Sequence, residues 1–196
     1  MAGCGSLSDD FWGWDGPTVE RYSKIMTTHA ETFIAAFEQV CQEQLPTLLE
    51  CWPSQPKFTS YVSVNMMPRL ADILGCTVEY EHNRIDHVLR ANEASSLGIK
   101  PGDIFAAIEH ENNFGNSHEE IIKLTRINAP LGVLITYASP WERGPKLAEY
   151  IEHVVSEVGG KEQGELLVIF GPYGLNRPVK LEWDYHVWRG DRFRGL

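Results

Sequence analysis

Two glutamates separated by one residue, Glu109 and Glu111, close an apolar run that begins at Ile104. Alternate side chains of a strand share a face, so these carboxylates stand about 7 Å apart on one side and His110 points to the other. Oxygen donors at that spacing suit a hard divalent cation, magnesium or manganese, better than zinc. Asp86 lies in an earlier strand-like run, Ile85 to Leu89. If the two runs pair, Asp86 approaches Glu109 and completes an oxygen-rich metal site of Asp86, Glu109 and Glu111. Lys123 follows on a helical stretch with Glu119 and Glu120 one turn before it. The plain reading of Lys123 is a solvated i,i+3 or i,i+4 ion pair; the functional one is a positive charge for the acidic site.

These residues need elements to position them. Phe33, Ala36, Phe37, Val40, Cys41, Leu45, Leu48 and Leu49 recur at spacings of three and four, which predicts a helix over 29–51 that Pro46 kinks or divides. Two prolines mark 52–57 as a connector, and a second helical stretch over 58–74 ends at Gly75 as a cap. Beyond Gly75 the period changes to two. Strands are expected over 77–81, 85–89, 104–111, 131–137, 166–170 and 180–188. Helices are expected from Ser117 to about Asn128 and over 145–158. Ser117 with Glu120 has the spacing of a capping box. Residues 1–16 read as a loose start that docks through aromatics, and Pro17 opens the helical region 17–74. The pattern gives one α/β domain over 1–196, a central mixed β-sheet over 75–196 flanked by helices.

Over residues 75–138 the order Asp86, Glu109-x-Glu111, helix and buried strand resembles the PD-(D/E)XK nuclease superfamily, the restriction-endonuclease-like fold. The segment Glu109-His110-Glu111-Asn112, with Glu120, Lys123-Leu124 and Leu134–Tyr137, is similar to uncharacterised bacterial proteins of that fold. The resemblance implies magnesium- or manganese-dependent phosphodiester hydrolysis, or a relative that has lost the activity. It implies metal on Asp86 and Glu109, and Glu111 binding metal or positioning the attacking water. The family's third position is usually Lys and here is Glu111; Lys123 is the candidate for the missing charge. Ile85 stands where the family has Pro.

A second set of residues resembles a PDZ domain: Leu74-Gly75-Cys76-Thr77, Ala94 to Ile104 with Lys100-Pro101-Gly102-Asp103, and a helix opening with Ser117-His118. That resemblance implies a peptide-binding module capturing a C-terminus by strand addition, with His118 facing it. The strands and helix that follow Tyr137 exceed what such a module needs.

Seventeen Lys and Arg against 27 Asp and Glu leave a net charge of −10. That argues against a general nucleic-acid coat protein, whose phosphate contacts depend on Lys and Arg. A nuclease of this charge would draw its nucleic-acid surface from a local basic patch, a homodimer or a partner protein. Residues 177–196 reverse the sign through Arg177, Lys180, Arg189, Arg192 and Arg194. Trp183 and Tyr185 nearby read as one packed strand face rather than a stacking platform for bases. Glu31 and Glu38 on the first helix are carboxylates of the kind that sometimes joins a metal site. Cys4, Cys41, Cys51 and Cys76 form no CxxC pair, the first residues lack a signal-peptide pattern, and no run is long and apolar enough for a membrane span. The expectation is a reduced, cytoplasmic protein with no membrane association.

Overall fold

The computed structural model describes residues 28–137, 149, 152–153, 155–156, 164–172, 181–188 and 193–195. The expectations for residues 1–16, for the helix over 145–158 as a whole and for Arg177, Lys180, Arg189 and Arg192 of the basic tail lie outside these residues, as does Cys4.

Helix α1 runs His29–Glu43 and opens on a capping box: Thr28 accepts from the Glu31 amide at 3.2 Å and Glu31 accepts from the Thr28 amide at 3.0 Å. Its buried residues, Ala30, Phe33, Ala36, Phe37, Val40 and Cys41, are the face read from the sequence. The run divides rather than kinks at Pro46. Helix α2, Leu45–Cys51, begins there with the proline in its first turn, where a missing N–H costs no helical hydrogen bond. Pro56 does the same for α3, Gln55–Tyr61, so the expected connector shortens to 52–54. A π-helical turn, Val62–Met66, joins α3 to α4, Met67–Leu74. Gly75 ends α4 at φ 65° with its Cβ position only 2.8 Å from the Ser95 Cα, so only glycine fits.

Seven strands then form one sheet whose spatial order is the chain order: β1 Cys76–His82, β2 Ile85–Ala91, β3 Ile104–Glu111, β4 Leu131–Thr136, β5 Glu165–Phe170, β6 Asp184–Trp188 and β7 Phe193–Gly195. The first three make an antiparallel meander, β3 to β5 are parallel, and β6 and β7 return antiparallel. The α/β class and the mixed, helix-flanked sheet are as the sequence indicates. The seventh strand is an addition to it, and β6 is shorter than its alternation suggested.

Helix α5, Ser117–Arg126, is the crossover from β3 to β4. It covers one face of the sheet through Ile121 and Leu124, which pack with Val88, Ala107, Leu134, Leu166 and Val168. Helices α1 and α4 cover the other, over Leu89, Ile108, Val133, Ile135, Leu167 and Ile169. Trp183 and Tyr185 pack on that second face, Trp183 edge-on to Phe37 at 5.0 Å. They form the packed strand surface that was expected.

Gly132 on β4 lets α5 sit close. A Cβ there would lie 3.3 Å from Leu124 Cβ and 3.3 Å from Leu166 Cδ1.

Candidate acidic site

The expected capping box at the start of α5 does not form. The N-cap is Asn116, without a side-chain cap bond. The Ser117 hydroxyl instead meets Thr136 Oγ1 at 3.2 Å, pinning the first residue of α5 to the end of β4. The Glu120 carboxylate turns along the helix and accepts from Lys123. Tertiary partners have taken both side chains from the local motif.

Lys123 forms the ion pair of its plain reading and reaches beyond it. It is the i,i+3 partner of Glu120, and its Nζ also donates to Glu109 Oε1 at 3.1 Å and to the Arg84 carbonyl at 3.4 Å. Glu119 is not its partner; that carboxylate lies 4.0 Å from His118 Nε2.

Strand register brings in Asp86. His87 pairs with Ile108, Val88 with Ala107 and Leu89 with Ala106, so one further step sets Asp86 opposite Glu109. Opposite residues of an antiparallel pair share a face. Asp86 Oδ2 accepts from the His110 amide at 2.9 Å, which ties its carboxylate to the backbone beside Glu109. Asp86, Glu109, Glu120 and Lys123 thus meet where β2, β3 and α5 converge.

Glu109 is 2 % exposed. Burial, with the nearby negative charges of Asp86 and Glu120, pushes its carboxyl up to about 8, against the opposing pull of Lys123. The cluster holds three acidic groups and one ammonium.

Glu111 stands apart from this arrangement. Its Oε1 accepts from the Asn113 amide at 2.5 Å, closing the turn after β3. Glu31 is used in the α1 cap, and Glu38 is exposed on α1.

The histidines flanking the acids lie on the opposite face, as strand alternation requires. His87 Nε2 is 2.8 Å from Ser63 Oγ, and His110 Nε2 is 2.8 Å from Tyr137 Oη. Burial holds the His110 imidazole down near 4, so it is neutral at physiological pH.

Among the described residues, no three His, Cys, Asp or Glu side chains are gathered as a ready metal-ligand set. The donor chemistry suits a hard cation: Asp86 and Glu109 offer carboxylate oxygens in an excess of negative charge. In this structure the compensating positive charge is the Lys123 ammonium.

Of the residues of the peptide-binding resemblance, the 74–77 and 94–104 segments meet, Ser95 Oγ donating to the Leu74 carbonyl at 3.4 Å, whereas His118 lies on another element. The Gly75 amide is used in the α4 cap, donating to the carbonyls of Ala71 and Asp72. β1 is one edge of the sheet, whereas α5, with His118 near its start, packs on β3 and β4. His118 Nδ1 lies 3.2 Å from the Gly115 carbonyl.

Set against known proteins, the chain matches no family model and no curated sequence. Among the described residues, no helix is long and apolar enough to cross a membrane.

Arg84, whose carbonyl accepts from Lys123, is a contributor that the sequence does not mark as a site residue, while Glu120 enters as the i,i+3 partner of Lys123. The available signal was spacing: Glu120 and Lys123 share a helix face, and Lys123 had to reach the strand for that face to matter.

Proposed function

We propose that this protein hydrolyses phosphodiester bonds in nucleic acid, with a magnesium or manganese ion held by Asp86 and Glu109. The observation that supports this reading is the reach of Lys123 from α5 to Glu109, with the Asp86 carboxylate tied to the His110 amide beside it. Two oxygen donors and an ammonium on one face at one end of a sheet are the parts that metal-assisted phosphoryl chemistry uses.

The ion, when bound, would supply Lewis acidity and lower the pKa of a coordinated water. Asp86, fixed by the His110 amide, presents its carboxylate from β2. Glu109 presents its own from β3 and has to ionise to take part as a ligand. Lys123 supplies positive charge against the negative charge that grows on the phosphate in the transition state. Glu120 holds the Lys123 ammonium near that position. Glu111 is a candidate for orienting the attacking water, once freed from the Asn113 amide.

A homodimer or a protein partner is proposed to widen the nucleic-acid surface of this acidic chain. The free thiols of Cys41, Cys51 and Cys76 accord with a reducing, cytoplasmic setting.

The test is cleavage of DNA and RNA, single- and double-stranded, with magnesium or manganese added. Cleavage is expected in the wild type, lost in Asp86→Asn and Glu109→Gln and strongly reduced in Lys123→Met. Cleavage that survives Glu109→Gln, or no cleavage of any substrate with either metal, contradicts the proposal.

A further inference from the structure

The turn between β1 and β2 is built of residues that pay for its shape. His82 pairs with Ile85, so the loop has two residues, Asn83 and Arg84. Both have positive φ, 51° and 70°. This is the pattern of a type I′ hairpin, whose second loop position belongs to glycine. Asparagine tolerates the left-handed region; an arginine there is strained by its Cβ. Glu81, just before the turn, also lies at positive φ, 55°, and the β1–β2 pairing passes over Glu81 and Asp86.

The strained arginine is at the acidic site. Its carbonyl accepts from Lys123 Nζ at 3.4 Å, the same ammonium that contacts Glu109 and Glu120. Its side chain is exposed, and among the described residues it forms no ion pair. Lys123 is already engaged by carboxylates. Among the described residues, Arg84 is a cation beside the site that no carboxylate engages.

We infer that Arg84 contacts a backbone phosphate of the nucleic acid bound at this site. The inference rests on the nuclease reading and adds a residue that positions the substrate. A guanidinium offers a planar pair of donors that matches two phosphate oxygens. Carried on a two-residue turn, it has little backbone freedom to lose on binding.

The turn makes a clean experiment available, because glycine suits its geometry better than arginine does. Arg84→Gly and Arg84→Asn are made in a Glu109→Gln background, which blocks turnover. Binding is read by fluorescence anisotropy with a short labelled DNA duplex and with a labelled RNA strand, over a range of salt. Both variants are expected to melt at or above the temperature of the Glu109→Gln parent. Both should bind about 5- to 10-fold more weakly, and the slope of log affinity against log salt should fall by about 0.9 on duplex or about 0.7 on the single strand. Arg84→Lys should keep the salt slope. The probe that shows the loss identifies which nucleic acid the site takes.

A parent that binds with unchanged affinity and slope in Arg84→Gly and Arg84→Asn overturns the role of Arg84 and leaves the nuclease reading standing. Wild type and parent that both bind neither probe at low salt overturn both.

Discussion

Lys123 Nζ and Glu109 Oε1 are 3.1 Å apart, although 14 residues separate them in the chain and they belong to a helix and to the strand beneath it. The contact makes the acidic end of β3 a charge cluster rather than a solvated strand end. It depends on the crossover geometry: β3 ends, α5 turns back over the sheet, and β4 leaves parallel to β3.

Removing the lysine should cost stability as well as activity. Glu109 is almost fully buried, whereas Lys123 is 34 % exposed at the side chain. Lys123→Met is expected to destabilise the fold by about 1–2 kcal/mol, less than a fully buried pair would lose, because solvent screens the exposed partner. Adding Glu109→Gln should recover part of that loss, with a coupling of about 1 kcal/mol in a double-mutant cycle by urea unfolding. Strictly additive losses would mean that the two groups do not interact energetically.

Glu109 should also leave a mark on the pH dependence of stability. Its carboxyl is raised to about 8 in the folded protein by burial and by Asp86 and Glu120. Between its ordinary value near 4.5 and about 8 the folded state holds a proton that the unfolded state has released. Stability from this group is therefore full below about pH 4, declines through this window and levels off above pH 8. Urea midpoints from pH 5 to 9 should fall for the wild type more than for Glu109→Gln. Parallel curves would contradict the shift.

Much of this arrangement was legible in the chain, for identifiable reasons. β3 is read at its observed bounds because its apolar run is continuous and ends in charge. Gly75 is read as a cap because only glycine suits a left-handed helix end. Asp86 comes opposite Glu109 once two strands pair. The use of Ser117 is hidden, because Thr136 competes for it only after β4 is in place, whereas the i,i+3 pairing of Glu120 with Lys123 is legible in the helix spacing. The break at Pro46 is legible as a kink or a division, and the structure takes the division because proline suits the first turn of α2; the π-helical turn over Val62–Met66 leaves no mark in local periodicity. Glu111 looked equivalent to Glu109 by alternation. The turn at Asn113 engages it instead.

The fold's tolerance at Gly132 bears directly on the site. The added Cβ of Gly132→Ala meets Leu124, one residue from Lys123, and Leu166 at 3.3 Å. The helix must move by a few tenths of an ångström, so a loss of about 1–2 kcal/mol is expected from overpacking. Any cleavage activity should fall by a larger factor than the unfolded fraction explains, because α5 carries both Lys123 and Glu120. Activity that merely tracks the folded fraction would show that helix placement is not critical.

The central claim is that Asp86 and Glu109 form a cation site. Calorimetric titration of manganese into the wild type and into Asp86→Ala/Glu109→Ala, each with and without a short DNA or RNA, tests it most directly. Saturable binding by the wild type that disappears in the double variant is the predicted result. Equal binding by both proteins, or no binding by the wild type even with nucleic acid present, would contradict it.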